Sequence, residues 1–301
     1  MPFDVIELED NYWFSDWLGA QQVSCRVLRP RSREALVDWM RRQPNLSALH
    51  MRAIGSGHST SGVARPMDPN SIAVIVHELG IPEDEAIEAE RWVTRASLRS
   101  GEHFVRVSAG MTIAHLNQML AARGWALPNM GSYDAQTISG AISTGTHGTG
   151  LVTGPLPDIV ASIEIVTVLH ERRVAALRIE PVNGPTDPAV FTGERFGLEL
   201  LKDTEAFESC VVGLGAFGIV TAVTLKVVDA FWLSEERWLT TWPELAEGRT
   251  LLDLVEREPF VDVTMTPLPR PNHARRNHRC LVTVRRPIPA ERLPPPRNDE
   301  R

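Results

Sequence analysis

The sequence predicts an α+β chain in two parts, and three observations carry that prediction. Two loops are rich in Gly, Ser and Thr, Gly55–Gly62 (GSGHSTSG) and Gly131–Gly150 (GSYDAQTISGAISTGTHGTG). Strand-like β-branched runs and amphipathic helical stretches surround them in irregular order, without an internal repeat. After Val228 the texture changes, and a strand, a helix and two further strands open another α+β layer. We therefore expect one domain over residues 1–228 and a smaller one over 229–301, with a boundary near Asp229.

Taken in order, residues 1–20 read as an irregular aromatic lead (Tyr12, Trp13, Phe14, Trp17) packed over the core rather than used for binding. Ser32 has the chemistry of an N-cap for a helix running to Gln43, with Ala35, Leu36, Trp39 and Met40 on one face and Pro44 as its stop. Ala48–Ile54 reads as a strand that runs into the first loop, and Ser71–Val76 as a second strand. Residues 81–100, rich in Glu and Ala, suggest a helical or loop excursion. Phe104–Ser108 alternates as a strand. Thr112 then caps a helix to Arg123, and Gly124 ends it. The central stretch from Gly131 to Gly150 has too little apolar surface to be a core element along its whole length. Beyond it, Ile159–Val168 and Val174–Ile179 form a strand pair around a turn at His170–Arg173. Residues 181–195 are a loop, Thr204–Cys210 a helix and Ile219–Val228 a strand. In the second part we expect a strand over Phe231–Leu239, a helix over Glu244–Arg257, and strands over Val261–Thr266 and Cys280–Val284. The tail from Pro287 to Arg301 is proline-rich and polar and is expected to be poorly ordered.

Composition bounds the function. The chain has 301 residues, 43% of them hydrophobic, enough for a full core in one or two domains. Its net charge of −7 argues against a binder of phosphate backbones, so no nucleic-acid partner is expected. No apolar run approaches the ~18 residues of a membrane span, and the first residues lack the basic start and apolar core of a secretory leader. Cys25, Cys210 and Cys280 are few, distant and odd in number, which favours free thiols in a reducing compartment and a cytoplasmic setting.

Chemistry concentrates in the two loops. Glycine lets a backbone approach a ligand closely and take positive φ, while Ser and Thr hydroxyls and free N–H groups satisfy phosphate oxygens. One such loop is a common surface feature. Two in one chain suggest a large cofactor containing a diphosphate.

These residues carry a resemblance. Gly55–Ser59 as G-x-G-H-S, followed much later by Gly140–Gly148 as G-x-x-x-T-G-T-H-G with VRVSAGMT between them, resembles the FAD-binding half of the vanillyl-alcohol oxidase flavoprotein family. Within it the pattern is most similar to the sugar-lactone and alditol oxidase branch, and the likeness runs from about Arg29 to Val228. The resemblance implies a two-subdomain FAD-binding domain followed by a substrate cap. In the family that cap continues well past the length available here, so the second part reads as a partial cap. The excursion at 81–100 departs from the family, whose connection there is usually short.

Site residues carry over motif by motif. Ala53, Ile54, Gly55, Ser56, Gly57, His58 and Ser59 would wrap the diphosphate, and His58 would be the covalent attachment point for the flavin 8α-methyl group. Ser132, Thr137, Gly140, Thr144, Gly145, Thr146 and His147 would bond the diphosphate or ribityl chain or lie against the flavin. His147 has a second reading, as a brace for its own loop. Ile219 and Val220 would present backbone near the adenine end. The activity implied is oxidation of a sugar lactone or polyol CH–OH group, with hydride passing to flavin N5 and oxygen or another acceptor as oxidant. The family's proton-handling residues lie mostly in cap regions without a counterpart here, so no catalytic base is named. The alternatives are a truncated flavin-binding protein without turnover and a nicotinamide-dependent enzyme.

That last alternative rests on Gly213–Gly218, which fits the G-x-G-x-x-G dinucleotide fingerprint. The fingerprint requires a helix at its third glycine, whereas IVTAVTLKVV follows, a β-branched run that reads as a strand. His273, His278 and Cys280 are close in sequence, but Arg270, Arg275, Arg276 and Arg279 among them would repel a cation, so no metal is expected. Gly57-His-Ser59-Thr-Ser61 misses the G-x-S-x-G elbow of serine hydrolases at its last position.

Overall fold

The computed structural model describes residues 6–66, 69–80, 93, 98–193, 197–268 and 278–288. Its first layer is a four-stranded sheet. Strand β1 (Leu8–Ser15) pairs antiparallel with β2 (Gln22–Leu28). Helix α1 (Arg33–Arg41) follows, capped as expected by Ser32, whose Oγ accepts from the Ala35 N–H at 3.1 Å. Strands β3 (Met51–Ile54) and β4 (Ile72–Ile75) add in parallel to give the order β1-β2-β4-β3. The aromatic lead is thus not irregular. Tyr12 and Phe14 turn inward and their neighbours outward, as a half-buried strand requires. A register shift between Glu9 and Tyr12, with Asn11 at φ 63°, breaks the alternation and hides it from a local reading.

The second layer holds β5 (Glu102–Ser108), α2 (Ile113–Ala121), β6 (Trp125–Ala126), α3 (Ile138–Ser143), β7 (Val160–Val168), β8 (Val174–Glu180), β9 (Glu199–Lys202), α4 (Thr204–Val211) and β10 (Ile219–Asp229). The strands form one sheet in the order β5-β10-β7-β8-β9, with β6 also paired to β10. One face buries Val107, Ile163 and Leu225 against Ile113, Leu116 and Leu120 of α2 and Ile138 and Ile142 of α3. The opposite face meets the first layer, where Phe104, Val166, Ala176 and Ile219 pack with Leu36, Trp39, Met40, Val74 and Val76. The two subdomains therefore share one continuous seam. The short strands β6 and β9 were not expected, and neither was α3. The central stretch is glycine-rich, yet Ile138, Ala141 and Ile142 are spaced to bury one side of a short helix.

A third layer contains β11 (Trp232–Thr241), α5 (Trp242–Ala246), α6 (Thr250–Arg257), β12 (Phe260–Met265) and β13 (Arg279–Ile288), with strand order β11-β13-β12. Leu245 and Leu254 from the two helices cover Cys280, Val282 and Val284. The single helix expected over Glu244–Arg257 is two, because Gly248 takes a φ of +60° and turns the chain. Pro287 and Ile288, expected in the tail, extend β13. Most of the 81–100 excursion, His273 and the remainder of the tail lie outside the described residues. An isolated bridge between Gly150 and Phe260 ties this layer to the end of the central stretch.

Candidate cofactor-binding site

Three segments far apart in sequence meet at one end of the subdomain seam. They are the loop leaving β3, the α3 region of the central stretch, and the glycine turn before β10. Together they line a cleft with a volume of about 300 Å³. Its walls include Arg52, Ala53, Gly55, Ser56, Gly57, His58 and Ser59 from the first segment. Gln136, Thr137, Ser139, Gly140, Ser143 and Thr144 come from the second, and Leu214, Gly215, Gly218 and Val220 from the third.

The two loops touch through Gly55 and Thr137. A Cβ on Gly55 would run into the Thr137 hydroxyl and lie 3.2 Å from the Thr137 Cβ. A Cβ on Gly140 would lie 3.0 Å from the same hydroxyl. Gly55 is therefore required by contact, Gly140 fits closely against the same side chain, and Thr137 is the 2%-exposed post between them. Gly57 has a different reason, a φ of +69° that side chains rarely adopt. Thr137 is fixed from behind by a bridge to Thr112, the N-cap of α2. Ser139 anchors α3 by donating to the Ala109 carbonyl at 2.8 Å.

The remaining expected residues fall in different places. Ile54 and Ile219 are buried, so only their backbones could serve a ligand. Ser132, Gly145, Thr146 and His147 do not line the cleft. Thr146 spans the end of the α3 turn, its N–H donating to Ala141 and its carbonyl accepting from Leu156. His147 Nδ1 lies 2.9 Å from the Gly148 carbonyl oxygen, an atom that only accepts, so Nδ1 carries a proton. That contact is the loop-bracing arrangement.

His58 enters the cleft with aromatic neighbours at its side. The Tyr133 ring is 4.6 Å and the Trp17 ring 5.3 Å from the imidazole. The Trp17 N–H donates to the Gly57 carbonyl at 3.1 Å, which sets the aromatic lead against the first loop. Sequence reasoning missed this role for the lead, because nothing local says where a tryptophan at an element's end will fold. It also missed Arg52 and Gln136. Each sits immediately beside an expected glycine or threonine segment, and that adjacency was the available signal.

Further along the seam the chemistry is opposite. Glu164 on β7 accepts from Arg106 on β5 through two bonds of 2.7 Å and from Arg178 on β8 at 2.9 Å. Arg33 of α1 reaches it across the subdomain boundary at 3.2 Å. Arg178 also donates to Glu180 at 3.0 Å and to Thr224 at 3.1 Å. Burial alone would raise the Glu164 pKa, but the Arg106 guanidinium, with Arg178 and Arg33 behind it, reverses this and lowers it to about 2.

The cleft's donors fit a dinucleotide. Glycine-lined backbone permits close approach, hydroxyls surround it, and among the described lining residues no carboxylate opposes a diphosphate. Residues 25–170 match the FAD binding domain family. The fold is similar to the crystal structure of cholesterol oxidase from B. sterolicum, with a TM-score of 0.67 at 17% identity, covering 96% of this chain and 49% of that one. Residues 25–170 thus carry an FAD-binding domain, the chain shares its fold with that flavoprotein, and FAD is its cofactor.

Its relatives place it more narrowly. It is 31% identical over 218 residues to the alditol oxidase of a Streptomyces species, covering 72% of this chain and 42% of the relative. It is 26% identical over 241 residues to D-arabinono-1,4-lactone oxidase of Saccharomyces cerevisiae, covering 80% of this chain and 39% of the relative. Its sequence is thus similar to sugar-lactone and alditol oxidases. It spans about two fifths of the length of these relatives.

Proposed function

We propose that this chain forms the flavin-holding part of an oxidoreductase that oxidises a CH–OH carbon of a sugar lactone or polyol. The observation that carries this reading is the convergence of Gly55–Ser61 and Gln136–Thr144 on one cleft, locked by the Gly55–Thr137 contact. Ala53–Ser59 would hold the diphosphate through backbone N–H groups, with Thr137, Gly140 and Thr144 facing them. Backbone at Gly218–Val220 would lie by the adenosine. His58, held beside Tyr133 and Trp17, would tether the flavin through a ring nitrogen. When bound, FAD supplies the hydride acceptor, and oxygen or another acceptor reoxidises it. The three cysteines are free, which suits a reducing compartment. No helix among the described residues is long and apolar enough to cross a membrane. We place the domain division near Asp229, where β10 ends and the third layer begins.

A second reading, a flavin-binding chain without efficient turnover, is favoured by one observation. Among the described residues lining the cleft there is no carboxylate or lysine to take a hydroxyl proton. Loss of a general base removes about 10²–10⁴ in rate. Loss of substrate positioning removes up to roughly 7–11 kcal/mol of barrier lowering. The 301-residue chain is therefore expected to bind flavin and turn over sugar lactones and polyols slowly. Peroxide release and dye reduction with L-gulono-lactone, D-arabinono-lactone, xylitol and sorbitol test this; rapid turnover of any of them would place a working base within residues 229–301. Acid precipitation tests the tether. Flavin fluorescence should stay with the pellet and be released by His58→Ala; equal release from both proteins rejects the covalent bond and leaves binding intact.

A further inference from the structure

The cleft holds one charged side chain that the fold alone does not explain. Arg52 lies on β3, three residues before Gly55, where the loop begins. It is the single arginine or lysine among the described residues lining the cleft, and no aspartate or glutamate lines it. Its Nη1 donates to the Leu214 carbonyl at 3.0 Å, across to the glycine turn of the other subdomain. That turn is in an unusual conformation. Leu214 is a non-glycine residue at φ 51°, followed by Gly215 at φ 73° and Gly218 at φ 145°. A β-carbon on Gly215 would come within 3.7 Å of the same guanidinium nitrogen.

A guanidinium has five N–H donors, and one carbonyl engages one of them. Among the described residues no carboxylate pairs with Arg52, so its charge is not neutralised there. Arg106 and Arg178, by contrast, are each bonded to glutamate. A permanent cation in an otherwise uncharged cleft, with donors left over, is matched to an anion. The anion on the proposed ligand is its diphosphate.

We infer that Arg52 is the charge partner of the FAD diphosphate, and that through Leu214 it holds the Gly213–Gly218 turn closed against the adenosine half of the cofactor. The inference rests on the flavin reading above and adds a residue that neither glycine loop contains. A charge-assisted hydrogen bond to phosphate contributes selectively to ligands that carry the phosphate.

The test is a fluorescence titration of the full chain in a His58→Ala background, so that no covalent bond masks the equilibrium. FAD and riboflavin are compared for the parent, Arg52→Lys and Arg52→Gln, each shown to be folded by circular dichroism. Arg52→Gln should weaken FAD by about ten- to a hundredfold and Arg52→Lys by much less, while riboflavin changes by less than about twofold. Added salt should weaken FAD binding to the parent more than to Arg52→Gln. If riboflavin binds too weakly to fit, ADP and adenosine as competitors of FAD give the same contrast. Equal loss of FAD and riboflavin would overturn the inference and leave Arg52 as a brace for the turn. Unchanged FAD affinity would overturn it outright. A parent that binds neither flavin refutes the flavin reading itself, which is visible before any Arg52 variant is made.

Discussion

The seam between the two subdomains is built in two incompatible ways. At one end Gly55, Gly140 and Thr137 meet with so little side chain that the backbone itself forms the wall. Beside it, Arg33, Arg106, Arg178 and Glu164 bury full charges and saturate them with one another. The glycine end makes few contacts across the seam and is suited to a ligand between its walls. The ionic set is filled by its own side chains and ties α1 to β7 through the Arg33–Glu164 bond. The buried network joins the two subdomains close to the cleft that they share.

The largest expected effect comes from breaking the ionic end. Glu164→Ala would strand the Arg106 and Arg178 guanidiniums without their shared partner in the interior, and losing one member of a buried ion pair costs about 3–5 kcal/mol. Chemical denaturation should show a loss of this size, and a loss below about 1 kcal/mol would mean that water reaches the network. Replacing the whole set with apolar residues would be much milder for the same reason.

Acid probes the same end without mutation. Glu164 has a folded pKa of about 2 against an ordinary value of 4.5, so it is depressed. Its contribution is fully present above the unfolded value and is lost as pH falls from 4.5 towards 2. The contribution is on the order of 3 kcal/mol. Stability measured between pH 5 and about pH 2 should fall steeply in the natural chain and less steeply in Glu164→Gln. Parallel curves would assign acid sensitivity to other carboxylates.

At the glycine end, Gly55→Ala should spare the fold and damage the cleft. Its methyl group would overlap the Thr137 side chain, and forced overpacking costs about 1–3 kcal/mol. Read as FAD affinity, that is about a ten- to hundredfold loss, and Thr137→Ala in the same chain, which removes the overlapping hydroxyl, should recover part of it. If Gly55→Ala binds FAD normally, the two loops do not meet as described.

The two ends differ in how legible they were in the sequence. The glycine end was legible because its signal is local. A G-x-G-H-S run and a Thr/Gly/His run each show their composition without reference to the other, and Ser32 and Thr112 showed their helix starts in the same way. The ionic end was not read, although Val105-Arg106-Val107, Ile163-Glu164-Ile165 and Leu177-Arg178-Ile179 each place a charge inside an apolar strand. Such a charge announces a buried partner but not which one. The partner depends on the order β5-β10-β7-β8, in which β10 inserts between strands that precede it. Arg52 could be noticed by its place beside the first loop, but its contact with Leu214 could not, since that depends on the Gly213–Gly218 turn arriving beside it. That turn matched a dinucleotide fingerprint, and the strand after it, β10, shows that it is not one.

The central claim is that both glycine loops close on a single FAD. The purified chain should be incubated with excess FAD, passed through gel filtration and scanned across the visible range. An oxidised-flavin spectrum that elutes with the protein, with flavin and chain in equal amounts, is the predicted result. A colourless protein after the same treatment, or one that retains NAD instead, would contradict it.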